Sequence, residues 1–199
     1  MGKFKNVIFI LAIIMVVLCS CFRIDRAENS NIPNNYYENQ EQKNQNTEYK
    51  PYSDLYYNGI DYRVSRSSIG KYGGQIVTST IGEGPKTFNP WESKDATSSQ
   101  IADLMYDSLF TSDSETGEVI PLLAKGMKVS EDLKTYTITL RRGVKWSDGQ
   151  EITADDVVFT WNDIILAGFG NTSTRDSLII DGEYPTVKKI DKYTIEFRI

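Results

Sequence analysis

An unbroken apolar run from Val7 to Leu18 opens the chain behind Lys3 and Lys5, and no later stretch repeats it. As a helix, twelve residues reach about 18 Å. A hydrocarbon core is about 30 Å thick, so the pattern predicts a secretory signal over residues 1–20 rather than a membrane span. From Phe22 to about Ser68 the apolar positions lose all period among Asn, Gln, Glu, Ser and Tyr, as in NSNIPNNYYENQEQKNQNTEYK. Such a stretch buries too little apolar surface to offset its ordering entropy, which predicts a disordered tether over 21–69. Tyr56, Tyr57 and Tyr62 are its candidates for docking on the domain C-terminal to it.

Periodicity returns near Gly70. A β-branched run, Gln75–Ile81, comes after Gly73-Gly74 and predicts a first strand. Ile101, Leu104, Met105 and Leu109 fall on one helical face, predicting an amphipathic helix over 98–110. Asp113 to Gly117 reads as a turn. Met127–Ser130 and Tyr136–Leu140 read as a hairpin around Glu131-Asp132, with Tyr136, Ile138 and Leu140 on the buried face. After the turn Trp146-Ser147-Asp148-Gly149, Thr153 and Asp156 have capping-box spacing. They predict a helix to about Leu166 with Val157, Val158, Trp161, Ile164 and Ile165 as its apolar stripe. Lys188–Ile190 and Tyr193–Ile199 read as a last hairpin around Asp191-Lys192. An alternating strand that runs to Ile199 without turn or cap is expected of a chain that stops inside a domain.

Composition changes this picture by exclusion. There is no histidine among the 199 residues, which excludes Ser-His-Asp and Cys-His catalysis and His-ligated metal. With 22 basic against 27 acidic residues the net charge is -5, and no basic stripe is present, so no nucleic-acid partner is expected. Both cysteines, Cys19 and Cys21, close the apolar run, so the rest of the chain forms no disulfide and no thiolate metal cage. No cofactor and no metal are expected. Leu18-Cys19-Ser20-Cys21 resembles the bacterial lipobox. Cys21 is the lipidation candidate because small Ser20 precedes it, whereas bulky Leu18 precedes Cys19. Cleavage there removes Lys3 and Lys5 and no acid, leaving 20 basic against 27 acidic residues and a net charge of -7.

From Gly70 onward the motifs resemble one family, the extracellular solute-binding proteins, family 5, of the oligopeptide and dipeptide type. The residues that carry the resemblance are AKGMKVSEDLKTYTITLR at 124–141, GVKWSDG at 143–149 and ITADDVVFTW at 152–161. Gly73-Gly74, Thr87-Phe88-Asn89-Pro90 and Asp107-Ser108-Leu109-Phe110 add to it. The resemblance implies an α/β fold, a type II periplasmic-binding-protein-like lobe with a mixed sheet and flanking helices. Residues 70–199 would be the N-terminal part of the first lobe, without the second. It further implies a non-enzymatic monomer, lipid-anchored through Cys21 at the outer face of the membrane, that delivers peptides to an ABC permease and ATPase. A surface lipoprotein used in adhesion or signalling, or a binder of an oligosaccharide or nickel complex, stays open as an alternative.

Open α/β sheets place ligands beyond the carboxyl ends of their strands. The loop after the expected first strand therefore supplies the binding candidates: Asn89, Asp95 and Thr97 for a peptide backbone, and Trp91 for an apolar group. Phe169 is a further cleft candidate. Trp146, Asp148, Gly149 and Trp161 are expected to serve turn geometry and core area rather than ligand. Three apparent sites fail on chemistry. Pro85 breaks the Gly-Lys step of a phosphate loop at Gly82–Thr87. Asp113, Glu115 and Glu118 have the wrong spacing for a calcium loop. Adjacent Asp155 and Asp156 diverge by about 100° around a helix, so they do not face each other.

Overall fold

The computed structural model describes residues 20–21, 52–65, 73–80, 83–113, 116–169 and 175–199. Residues 1–19 of the expected signal and most of the tether, including 22–51, lie outside the described residues.

Four antiparallel strands form the main sheet, in the order β7-β8-β10-β9. They are β7 (Ala124–Val129), β8 (Thr135–Leu140), β9 (Thr186–Asp191) and β10 (Thr194–Arg198). Around them stand β1 (Ser20–Cys21), β2 (Tyr52–Tyr57), β3 (Ile60–Ser65), β4 (Tyr106–Asp107), β5 (Phe110–Ser112) and β6 (Val119–Pro121). These form three two-stranded pairs, β1-β4, β2-β3 and β5-β6. Every pairing among the described residues is antiparallel. Any parallel strands of the mixed sheet that the resemblance implies lie beyond these residues.

The alternation in β8 does what its period requires. Tyr136, Ile138 and Leu140 are buried, and opposite them in β10 stand buried Ile195 and Phe197, paired as Ile195↔Ile138 and Phe197↔Tyr136. Over this face lies helix α2 (Ala154–Phe159), which continues as a π-helical stretch over Thr160–Leu166. Its start is the capping box read from the sequence: the Thr153 side chain accepts from the Asp155 N–H at 3.3 Å, and the Thr153 N–H donates to Asp156 Oδ2 at 2.7 Å. Val157, Trp161 and Ile165 carry the buried stripe, while Val158 and Ile164 are only half-buried. The Trp161 ring meets Phe197 edge-to-face, with centroids 5.1 Å apart, and its Nε1 donates to the Pro185 carbonyl at 3.0 Å. An indole fully enclosed with its one donor satisfied is a strong core anchor.

Nearer the N-terminus three expectations are corrected. Residues 73–80 take no paired strand; Ile76 is 91% and Val77 84% exposed. A β-branched run favours extended backbone, but a strand exists only where a neighbour accepts its ladder, and no described strand lies alongside. The amphipathic helix is shorter than expected: α1 spans Ala96–Met105 and ends as Tyr106 turns extended to pair in β4. Its inward side is not the expected apolar face either. Ser98 and Ala102 are buried and Leu104 is 86% exposed, because Ser98 Oγ accepts the Lys86 and Thr87 N–H groups and so turns that side toward the preceding loop.

The third correction concerns the tether. Residues 52–65, placed inside it by composition, form an antiparallel hairpin whose turn is Asn58-Gly59. Both turn residues have positive φ, 48° and 82°, which Asn and Gly accept at low cost. The hairpin rests on the main sheet through Asp54 and Asp61.

Candidate functional site

The loop that leads into α1 holds three of the five sequence candidates, with Thr97 in the first turn of α1, and its own side chains shape it. Asn89 Oδ1 accepts the Trp91 N–H at 3.0 Å, and the Asn89 carbonyl accepts from Glu92 and Ser93. Asp95 is the N-cap of α1: Oδ1 takes the Ser98 N–H at 2.8 Å and Oδ2 takes the Ser98 hydroxyl at 2.7 Å. The Ser98 N–H, with the Ser98 hydroxyl next, holds the Asp95 carboxyl below its ordinary range. Thr97 Oγ1 lies 3.1 Å from Thr80 Oγ1, tying the helix to the extended 73–80 segment. Trp91 is half-buried and packs against the core. Asn89 and Asp95 therefore spend acceptor capacity on the loop itself. Phe169 stands after the π-helical stretch, its N–H bonded to the Ile164 carbonyl at 3.1 Å and its ring exposed.

The motifs expected to be structural are used that way. In the Trp146–Gly149 turn, Gly149 has φ 89° and donates to the Trp146 carbonyl, and Asp148 accepts from the Gln150 N–H at 2.8 Å. Asp155 and Asp156 part company: Asp155 pairs with Lys189 at 2.6 Å, while Asp156 serves the cap and accepts from Trp146 Nε1 at 3.2 Å. Among the described residues no group of three or more Cys, Asp or Glu side chains is arranged to hold a metal ion. None of their helices is long and apolar enough to cross a membrane.

At the β7–β8 turn end of the sheet an open groove of about 740 Å³ is lined by Leu133, Tyr136, Ile180, Tyr184, Pro185 and Arg198, among others. None of the sequence candidates lines it. At the opposite end lies a cluster that the sequence pattern did not reveal. The Asp61 carboxylate, almost fully enclosed, takes Lys125 Nζ at 2.7 Å and the Arg142 N–H at 3.0 Å. Asp54 takes Arg141 Nη1 at 2.7 Å, and Arg141 Nε donates to the Leu122 carbonyl at 2.7 Å. Burial raises the Asp61 carboxyl, but the Lys125 ammonium and the Arg142 N–H outweigh it, so it titrates below its ordinary range. The available signal was Asn58-Gly59 between two Tyr-rich runs, a strong short-range hairpin pattern.

Comparison with known proteins covers the sheet and part of what precedes it. Residues 118–199 match the model of the bacterial extracellular solute-binding proteins, family 5 Middle. Over 89 residues the chain is 40% identical to the periplasmic alpha-galactoside-binding protein of Rhizobium meliloti, covering 45% of this chain and 13% of that protein. Over 100 residues it is 39% identical to the oligopeptide-binding protein AppA of Bacillus subtilis, covering 49% of this chain and 18% of that one. Among solved structures it resembles the ABC transporter substrate-binding protein CtaP of Listeria monocytogenes, with TM-score 0.52 and 34% identity over 60% of this chain and 23% of that chain. The chain spans less than a quarter of the length of these relatives. Its fold is part of a type II periplasmic-binding-protein fold. Over residues 118–199 the chain is similar to the bacterial extracellular solute-binding proteins, family 5.

Proposed function

We propose that this chain is part of the solute-capturing component of an ABC importer, which binds oligopeptides or dipeptides outside the membrane and hands them unchanged to a permease and ATPase. The observation that carries the reading is the family 5 match over 118–199, together with the likeness to CtaP, an ABC transporter substrate-binding protein, and to the oligopeptide-binding AppA. In this reading residues 70–199 are the N-terminal part of the first lobe, and ligand is enclosed when a second lobe closes on it. The surface offered to ligand is the loop before α1 with Thr97 and Trp91, and Phe169 is a further cleft contact in the same reading. Asn89 and Asp95 hold that loop in shape.

Export and anchoring belong to the same proposal. Signal cleavage before Cys21 and lipidation of Cys21 would fix the mature protein to the outer face of the membrane. Cleavage there also removes Ser20, and with it the Ser20↔Asp107 rung of β1 with β4, so that pairing belongs to the precursor.

Calorimetric titration of the native protein with peptides of two to nine residues tests the assignment. Saturable peptide binding is expected, weakened by Thr97→Ala and Phe169→Ala and unaffected by Tyr184→Ala in the groove. Tight binding of an α-galactoside with no response to any peptide overturns the peptide assignment while leaving the transport class intact.

A further inference from the structure

The β2–β3 hairpin is attached to the rest of the molecule in an unusual way. Among its described side chains Asp61 is the only buried one; Leu55, Tyr57, Ile60, Tyr62 and Val64 are half-covered and Tyr56 is exposed. So small an apolar contact does not fasten a two-stranded ribbon, which is marginal alone in water. Two ion pairs tie it to the sheet, and Arg63 adds a favourable charge contact toward Asp107. Arg141, whose side chain is 4% exposed, reaches Asp54, and Lys125 reaches Asp61, whose side chain is 4% exposed.

The sheet is built to present those cations. Lys125 is the extra residue of a β-bulge, since Ala124 pairs with Leu140 and Gly126 with Thr139. A bulge re-aims the side chain it inserts. The backbone joins in: the Asp61 N–H donates to the Arg142 carbonyl at 3.0 Å while the Asp61 carboxylate accepts the Arg142 N–H. One residue on, Gly143 has φ 77°, and a Cβ there would stand 2.8 Å from Ile60 Cγ1. Lys125 Nζ also lies 5.8 Å from the Tyr56 ring centroid, close enough to favour the cation over the ring face.

We propose that the hairpin is a charge-latched strap, a ribbon whose Asp54 and Asp61 are seated on Arg141 and Lys125, that opens as one unit while the β7–β10 sheet stays folded. The latch is electrostatic and local, whereas the sheet is sealed by Tyr136, Trp161 and Phe197, none of which the hairpin's ion pairs engage. On the anchored reading above, and only on it, opening of 52–65 together with release of the Cys21↔Tyr106 rung would lengthen the chain between Cys21 and the lobe.

Hydrogen exchange of the 199-residue chain read by mass spectrometry tests the latch itself, with no lipid involved. In the unmodified chain, peptides from 52–65 are expected to exchange through openings nearly insensitive to low urea, while β8 and β10 exchange only through urea-sensitive unfolding. Asp61→Asn and Lys125→Glu should each speed exchange in 52–65 by about tenfold with β8 and β10 unchanged, and Lys125→Arg should retain protection. If 52–65 and the sheet share one urea-sensitive opening, or if 52–65 exchanges at free-chain rates in the unmodified protein, the strap is refuted. The urea series needs no variant, so it decides even where a substitution prevents folding.

Discussion

The β7–β10 sheet and the β2–β3 hairpin use the same antiparallel pairing, yet different forces keep them in place. In the sheet, alternate residues of β8 and β10 go under α2, and Trp161 fills the layer between helix and strands. In the hairpin alternation seals nothing, because its faces stay half-exposed, and two carboxylates meet cations on the sheet instead. Apolar burial is non-directional and scales with area. A charge contact is directional, falls with distance and answers to pH. The contrast teaches that regular pairing says little about how firmly an element is held.

The largest effect should come from the sheet. Trp161→Ala removes a fully buried ring and leaves the Pro185 carbonyl without its donor, an expected loss of about 3–5 kcal/mol in urea unfolding. If the loss is under about 1 kcal/mol, the core is not what separates the two regions. Thr153→Ala comes next. It removes the α2 cap and should cost about 1 kcal/mol by the same measurement, with the hairpin's exchange unchanged.

Acid should reverse the order of vulnerability. Asp61 titrates below its unfolded value, so its contribution is present above the ordinary carboxylate range and is lost as pH falls through the folded pKa. Loosening of 52–65 below about pH 4, ahead of the sheet, is expected in exchange measured against pH, with an effect near 1 kcal/mol because Lys125 is partly exposed. Glu151 is depressed in the same direction, chiefly by its Lys192 contact and then by the Tyr193 hydroxyl, and it sits beside the sheet. Simultaneous loss of both regions would mean that the sheet's own depressed carboxyls, Glu151 with Asp132 and Asp191, matter as much as Asp61.

The smallest effect has the opposite sign. Burial raises the half-buried Asp107 carboxyl, only partly offset by Arg63. A raised carboxyl destabilises the fold once the pH climbs from the unfolded pKa through the folded one. Asp107→Asn should therefore gain a few tenths of a kcal/mol at pH 7 and nothing near pH 3, measured as a shift in Tm. An equal gain at both pH values would trace to packing instead.

Much of the sheet was readable because its signals are local. The alternation at Tyr136–Leu140, the Glu131-Asp132 turn, the Asp148-Gly149 turn and the Thr153/Asp156 cap each need only a few neighbouring residues to have their effect. Gln75–Ile81 misled for a complementary reason: its propensity is intrinsic, while its pairing depends on a partner that the described residues do not provide. Leu104 misled because helical periodicity gives a face but not its direction, and Ser98 bound to the preceding loop set that direction. Three of the binding candidates share one loop, with Thr97 in the helix turn after it, simply because they are close in sequence. That Asn89 and Asp95 use their oxygens on neighbouring N–H and O–H groups could be seen only with the backbone in place.

The sequence alone determined the strands and helix whose signals act within a few residues, the exclusion of histidine chemistry and the family resemblance carried by 124–161. Tertiary structure decided what joins distant positions: that Asp54 and Asp61 find Arg141 and Lys125, 87 and 64 residues away, and that a stretch with tether composition lies on the sheet. The reason is the range of the forces. Hydrophobic period and capping act along the chain, whereas an ion pair is written in two places and becomes visible only when the fold brings them within about 3 Å.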